Sequence, residues 1–299
     1  MTSASATAAA RDAEIAAVLV NYNAGSELTQ ALRSIADDLA GRAWEAVVVD
    51  NASSDGSERQ VDAFAPQARL VRNATNVGFG RAVNQGVAAS RAPLVLIMNP
   101  DCRLARGATQ ALQAQLEAHD ACALVGPRVL DPDGAVQGSA RGDPDMLTGL
   151  FGRTGPLQSL FPQLGAARRN VVAEAAVTNG VPTVVVDWVS GACMLVRRSA
   201  FESVGGFDEQ YFLYWEDADL CRRLRARGYH VRYVPRATAV HSVGRSSRSA
   251  RAGSIRAFHD SAYRYYATHV APGPFNPKRL LARLLLSARC RWKLRGARS

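Results

Sequence analysis

The stretch Ala46-Val-Val-Val-Asp50-Asn-Ala-Ser-Ser-Asp55-Gly56 decides the fold. A short apolar run rich in β-branched residues reads as a buried strand, and it breaks at once into turn formers and helix-capping residues. The neighbouring sequence repeats the pattern. Ile15 to Val20 is another such run, meeting Asn21-Tyr-Asn-Ala-Gly25 before a helical spacing carried by Leu28, Leu32, Ile35 and Leu39. Arg69 to Arg72 leads through Asn76-Val-Gly-Phe-Gly-Arg81 into a helix ending near Ser90, and Leu94 to Met98 runs into Asn99-Pro-Asp101-Cys102. Strands separated by helices predict an α/β fold: a Rossmann-like, mostly parallel central sheet with helices on both faces. Right-handed crossovers gather the strand ends on one rim, where open α/β sheets bind their ligands.

The rim lacks both common phosphate cradles. Only Gly25 follows the first strand where a dinucleotide site needs G-x-G-x-x-G, Gly78-Phe-Gly80 has the wrong onward spacing, and no P-loop pattern occurs. The rim carries instead amides and carboxylates: Asn21, Asn23, Asp50, Asn51, Asp55, Asn84, Asn99 and Asp101. Carboxylates repel a diphosphate unless a divalent cation intervenes, and hard cations prefer oxygen ligands. The expectation is a metal-bridged nucleotide.

Composition sets the outer bounds. A chain of 299 residues, 47% hydrophobic, can bury one large core or two small ones. The first residues, 1–13, read as a disordered N-terminus without the pattern of a secretory signal, and no apolar run is long enough to span a bilayer. Five scattered cysteines without a C-x-x-C pair argue against a disulfide framework or a structural zinc site, so the expected setting is cytoplasmic. Lys and Arg outnumber Asp and Glu by 36 to 26, a balance that suits nucleic acid, an anionic membrane or phosphorylated ligands. No helix-turn-helix, zinc-finger or RNP pattern accompanies the charge, which excludes a nucleic-acid binder of those kinds.

The second half is less regular. Asp131-Pro-Asp-Gly134 is a hairpin turn signal between Val129 and Val136, residues 141–182 read as a long functional loop over the acceptor side, and strands return at Thr183 to Val186 and Cys193 to Val196. Trp188 lies among small residues, Ser199 reads as the cap of a short helix, and Gly205-Gly-Phe-Asp208 turns the chain toward Tyr211-Phe-Leu-Tyr-Trp215-Glu-Asp217. Leu220, Leu224 and the stop at Gly228 place Glu216 and Asp217 in the first turn of a helix, with Asp219 facing solvent or capping it. His241 follows the strand-like Val231 to Val234. Residues 273–299 form a basic amphipathic tail: Leu281, Leu284, Leu285, Ala288 and Trp292 share one stripe, with Arg279, Arg283 and Lys293 opposite. Such a helix either lies on an anionic membrane or packs on the domain through the same stripe.

Val20-Asn-Tyr-Asn23, Val47 to Ser57, Asn76-Val-Gly-Phe-Gly, Asn99-Pro-Asp101, Gly205-Gly-Phe-Asp208 and Trp215-Glu-Asp217 together resemble the inverting glycosyltransferases of family 2, which have the GT-A fold, and are most similar to rhamnosyltransferase-like bacterial members. The resemblance covers residues 14 to 270 and implies a GT-A domain at 14–272, with a nucleotide-binding half at 14–102 and an acceptor and catalytic half at 103–272. It implies that Asp50 holds the base beside Asn21, Asn23 and Asn51, that Asp55 lies near base and ribose, and that Arg81, Asn84, Asn99 and Arg245 attend the diphosphate and sugar. Asp101 matches the last acid of the family's metal motif, with Asn99 in place of its first acid, and His241 completes a Mg2+ or Mn2+ site. Asp217 is then the base and Glu216 a supporting acid, with Trp188 and Trp215 toward the acceptor. The implied enzyme is a metal-dependent hexosyltransferase of cell-surface polysaccharide assembly, peripheral on the inner face of the plasma membrane. It would move L-rhamnose from dTDP-rhamnose to a glycan or polyprenyl-linked acceptor, and a homodimer is compatible with this. The alternatives are a UDP-sugar donor (galactofuranosyl or N-acetylglucosaminyl) and a non-catalytic nucleotide-sugar-binding scaffold at the membrane.

Overall fold

Residues 13–143, 183–242 and 251–296 are described by the computed structural model. The expectations for the N-terminus, for most of the long loop and for Arg245 fall outside them. Strands β1 (Ile15–Asn21), β2 (Trp44–Asp50), β3 (Ala68–Arg72) and β4 (Leu94–Met98) alternate with helices α1 (Glu27–Asp38) and α2 (Phe79–Ala88) and a 3-10 helix (Ser57–Phe64). Their pairing is parallel, in the order β3-β2-β1-β4, with Asn21 opposite Asp50 at the carboxyl ends.

Downstream come β5 (Cys102–Leu104), α3 (Ala108–Glu117), β6 (Cys122–Leu130), β7 (Ala140–Arg141), β8 (Val184–Val186), β9 (Trp188–Val189), β10 (Cys193–Arg197), α4 (Arg198–Ser203), α5 (Glu216–Ala226) and β11 (His230–His241). The chain ends in α6 (Arg251–Tyr265), a π-helical turn (Tyr266–Val270) and α7 (Pro277–Arg295). β10 enters antiparallel between β4 and β6, β11 joins β6 in parallel, and β5 and β8 pair antiparallel with opposite ends of β11. The Asp131 to Gly134 turn closes as expected, with the Asp131 amide donating to Ala135 and a Leu130–Val136 bridge.

Period-two alternation divides the strand side chains between two cores. Ile15, Ala17 and Leu19 pack under Leu28, Leu32 and Ile35 of α1 and Leu112 and Leu116 of α3. Val18, Val20, Val47 and Val49 pack under Ala82 and Val83 of α2, Phe201 of α4 and Leu220 and Leu224 of α5. Helices therefore cover both faces. Gly86 of α2 makes the second contact possible, because a Cβ there would lie 2.4 Å from Val18 Cγ1. Gly86→Ala should lower stability by about 1–3 kcal/mol through overpacking, although Ala is the better helix former by about 1 kcal/mol. An unchanged or raised urea midpoint would show that Val18 yields to the methyl.

Two local expectations are corrected. Ser199 is not a cap: the short helix begins at Arg198, its N-cap position is Arg197, and no side chain caps it. Asp219 does not face solvent. It is 2% exposed, and its carboxylate accepts from Arg223 at 2.7 Å and meets His269 Nε2 of the π turn at 2.6 Å. A buried carboxylate needs such partners, and one of them comes from fifty residues later in the chain.

Candidate active site

The rim begins with the Asn21 and Asp50 side chains. Asn21 Nδ2 donates to Asp50 Oδ1 at 2.7 Å, to Ser57 Oγ at 2.9 Å and to Ser53 Oγ at 3.1 Å, while the Ser53 amide donates to Asp50 Oδ2. Both Asn21 and Asp50 are buried. Asn23, in the left-handed region at φ 53°, accepts from the Ser54 amide, and Asp55 accepts from the Gly25 and Ser57 amides and the Ser57 hydroxyl. Burial pushes the Asp55 carboxyl up, but the hydrogen bonds from Ser57 and Gly25 outweigh it and hold it below the usual range. The turns after β1 and β2 are thereby laced into one rigid edge, with Ser53 and Ser57 as members that sequence reasoning did not single out.

Asn51 carries the edge onward. It donates to Asn76 and to the Gly78 carbonyl and accepts from Asn73, fixing the loop that enters α2. On α2, Arg81 is exposed and pairs loosely with Glu209. Asn84 both donates to the Phe207 carbonyl and accepts from the Phe207 amide. Its amide therefore locks the Gly205–Gly206 turn, where both glycines have positive φ and a Cβ on Gly206 would sit 2.6 Å from Asn84 Oδ1.

The turn between β4 and β5 and the end of β11 bring Asn99, Asp101 and His241 together, Asn99 and His241 being 142 positions apart. His241 pairs in register with Cys102, which leaves its Nε2 3.1 Å from Asp101 Oδ1 and 3.4 Å from Asn99 Nδ2. Nδ1 lies 2.9 Å from Gln137 Oε1, and Gln137 Nε2 donates to Asp131 and to the His241 carbonyl. That orients the amide oxygen toward the ring, so Nδ1 donates to Gln137 and Nε2 is the ring atom that faces Asp101. One oxygen and one nitrogen facing each other in this way fit a divalent cation such as Mg2+ or Mn2+. Cys102 also lies in the cluster, whose ligand atoms fall within 4.8 Å of one another. Burial keeps its pKa well above the ordinary thiol value, with the neighbouring Cys193 and Asp101 adding to the effect. A buried neutral thiol packs rather than binding a hard cation.

The acids stand where the spacing put them, in the first turn of α5. The turn that delivers them is strained: Tyr214 and Trp215 both have positive φ, 69° and 71°, a conformation costing about 1–2 kcal/mol per non-glycine residue. Asp217 accepts from the Gly191 amide at 2.9 Å through Oδ2 and from the Ala218 amide at 2.8 Å through Oδ1. Burial raises its carboxyl above the usual range, opposed by those amides and by the Arg141 guanidinium. Glu216 is raised further, by burial first and by the Asp217 charge second, and its Oε2 has no hydrogen-bond partner. Both carboxyls of the pair are thus pushed toward their neutral forms by burial, and only Asp217 has backbone amides from outside its own residue, those of Gly191 and Ala218, opposing the push.

The segment holding Asp217 also holds the Asn99–Asp101 loop. The Gly191 amide donates to Asp217, and the next residue, Ala192, accepts the Asn99 amide at 2.9 Å. Trp188 donates to the Gly142 carbonyl, and Arg141 lies 5.1 Å over its ring, so the guanidinium covers one indole face. Trp215 packs with Phe258 and Tyr265 in an aromatic cluster joining α5 to α6.

A mostly parallel α/β sheet with helices on both faces, carrying carboxylates and amides at its strand ends and an acid pair on the α5 turn, defines a GT-A glycosyltransferase. The profile described as "Glycosyl transferase family 2" matches residues 16–205, and that of "Glycosyl transferase family group 2" matches residues 161–294. The chain belongs to glycosyl transferase family 2. It is 35% identical over 263 residues to N-acetylglucosaminyl-diphospho-decaprenol L-rhamnosyltransferase of Mycobacterium tuberculosis, covering 84% of this chain and 83% of that one. Among solved structures it resembles the mannosyltransferase PcManGT from Pyrobaculum calidifontis in complex with GDP-Man and Mn2+, with TM-score 0.59 and 20% identity over 95% of this chain and 72% of that chain. It also resembles GalNAc-T7 with UDP, GalNAc and Mn2+, with TM-score 0.58 and 14% identity over 92% of this chain and 54% of that chain.

Proposed function

We propose that this glycosyltransferase moves L-rhamnose from dTDP-rhamnose, with inversion, onto a sugar carried by a polyprenyl diphosphate. The observation that carries the reading is the Gly191–Ala192 link, which ties Asp217 to the Asn99–Asp101 loop through adjacent backbone groups. A base and a diphosphate station on one backbone connection are what a single displacement needs. The donor and acceptor classes follow the mycobacterial relative, whose name gives an L-rhamnosyl group and a diphospho-decaprenol carrier.

In this reading the base sits against the Asn21–Asp50 edge, where a pyrimidine N–H finds a carboxylate acceptor. Asp217 takes the proton from the acceptor hydroxyl, the acceptor oxygen bonds to the anomeric carbon, and the bond from that carbon to the diphosphate oxygen breaks. The carboxylate also favours the positive charge developing on the sugar ring. Glu216, whose carboxyl burial pushes toward the neutral form, lies beside it as a supporting acid. Asp101 and His241 would hold Mg2+ or Mn2+, which neutralises charge on the departing nucleoside diphosphate. A lipid-linked acceptor would put the enzyme at a membrane surface, and the reading sets it there peripherally, on the inner face; among the described residues no helix is long and apolar enough to cross a membrane.

The test is donor hydrolysis and transfer across a panel of nucleotide sugars, with and without Mg2+ or Mn2+. Selective use of dTDP-rhamnose is the expected result. Preference for a UDP-sugar would remove the rhamnosyl assignment, and binding without turnover on any acceptor would favour the scaffold.

A further inference from the structure

The tail helix α7 packs on the domain, but not through the stripe that the sequence marks as its apolar face. Its buried residues are Ala282 and Leu286. Ala282 clusters with Tyr266 and Ala271 of the π-turn region, while Arg289 and Arg283 lie over Phe258 and Tyr263 of α6. At 100° per residue the predicted stripe is turned away from that buried face by about 120°. There Leu280, Leu281, Leu284, Leu285 and Trp292 are all exposed, the least of them 38%, and Phe275, just before the helix, is 96% exposed. A helix already anchored by one face that still presents a row of leucines with a Trp is an unpartnered apolar surface of the kind that marks an interaction site.

Charge says what covers it. No acidic residue follows Asp260, and α7 carries basic residues from Lys278 to Arg295. A surface with a leucine row and a Trp, with exposed Lys278, Arg291 and Arg295 of the same helix within or beside the row, fits an anionic lipid bilayer, where apolar side chains enter the headgroup boundary and Lys and Arg meet lipid phosphates. We propose that the Phe275–Trp292 face of α7 is a membrane-docking surface for anionic lipid. The proposal shares with the functional reading only the lipid-linked acceptor and is independent of which sugar is transferred. It also carries the docked face to the chemistry: the π turn holds Asp219 through His269, and Arg222 of α5 donates to the His269 carbonyl and contacts the Tyr265 hydroxyl. The docking helix and the acid-bearing helix are therefore joined through the π turn.

The experiment uses the full chain and the triple variant Leu281→Ser, Leu284→Ser, Trp292→Ser, with vesicles of phosphatidylcholine alone or mixed with phosphatidylglycerol. Wild type should partition onto the anionic vesicles at least about tenfold more strongly than onto neutral ones, and the variant should lose at least about tenfold of that binding. Brominated acyl chains should quench wild-type fluorescence, and Trp292→Phe should abolish the quenched component. Because the substituted residues are exposed, the variant should keep wild-type unfolding and wild-type turnover on a water-soluble acceptor, which separates failure of docking from failure of the enzymatic reading. Equal co-sedimentation of variant and wild type would overturn the proposal. So would equal binding to neutral and anionic vesicles, or light scattering in which wild type is a dimer and the variant a monomer.

Discussion

Asp217→Asn should lower kcat for transfer by about 10²- to 10⁴-fold, the range that a positioned general base contributes, with nucleotide-sugar affinity within about twofold of wild type. Asn keeps the shape and can accept from the Gly191 amide at the position Oδ2 now occupies, giving up only the local bond from the Ala218 amide, so the link from α5 to Gly191 should stand and the main loss should lie in the proton-transfer step. The pH profile supplies a second readout. Asp217 must be ionised to act, and burial favours its neutral form. The acid limb of kcat/KM should therefore lie above the ordinary Asp value of about 3.9, activity falling as pH drops through that raised value. The limb belongs to the Glu216–Asp217 pair rather than to one carboxyl. Unaltered turnover in Asp217→Asn would remove it as the base, and an acid limb at an ordinary carboxylate pKa would mean that its surroundings are wetter in solution.

Removal of either candidate metal ligand, Asp101 or His241, is the second large effect expected. Asp101→Ala and His241→Ala should each abolish saturable Mn2+ binding in the presence of nucleoside diphosphate, read by Mn2+ electron paramagnetic resonance, and EDTA should reproduce the loss in wild type. Gln137→Ala is the more discriminating variant. It touches no candidate ligand atom of the site, yet it removes the acceptor that fixes the His241 tautomer, and losing such a partner typically weakens a metal site about 10- to 100-fold. Mn2+ affinity unchanged in Gln137→Ala would show that β11 alone orients the ring. Affinity unchanged in both Asp101→Ala and His241→Ala would place the cation elsewhere.

Much of this was legible in the sequence because it is local. Strand runs such as Leu94 to Met98 and the α5 start at Glu216 fall where periodicity and turn chemistry put them, since burial alternation and capping act over a few residues. What sequence did not disclose is long-range. Gln137 and His241 are 104 positions apart and Gly191 and Asp217 are 26 apart, and no composition signal links such pairs. Asp219 was misplaced for the same reason, because nothing near it announces His269. The tail is instructive in a different way. Its stripe was found by periodicity, but periodicity cannot say whether an apolar face looks inward or outward, and only the packing of Ala282 and Leu286 decides that it looks outward.

The antiparallel strand β10 bears on how the chain is made. It occupies the sheet between β4 and β6, yet it leaves the ribosome after both of them. Until residue 197 has emerged, the four-strand parallel unit ends in the open edge of β4, an apolar Leu-Val-Leu-Ile-Met row with unpaired backbone groups, and β6 is a ready but wrong partner for it. Exposed edges of this kind invite mispairing and aggregation, and long-range strand insertion is slow. Truncations ending before β10 should therefore be poorly soluble even though they contain the Asn21–Asp50 edge and the Asn99–Asp101 loop, and the yield of this enzyme in a cell should depend on how quickly translation proceeds from β6 to β10.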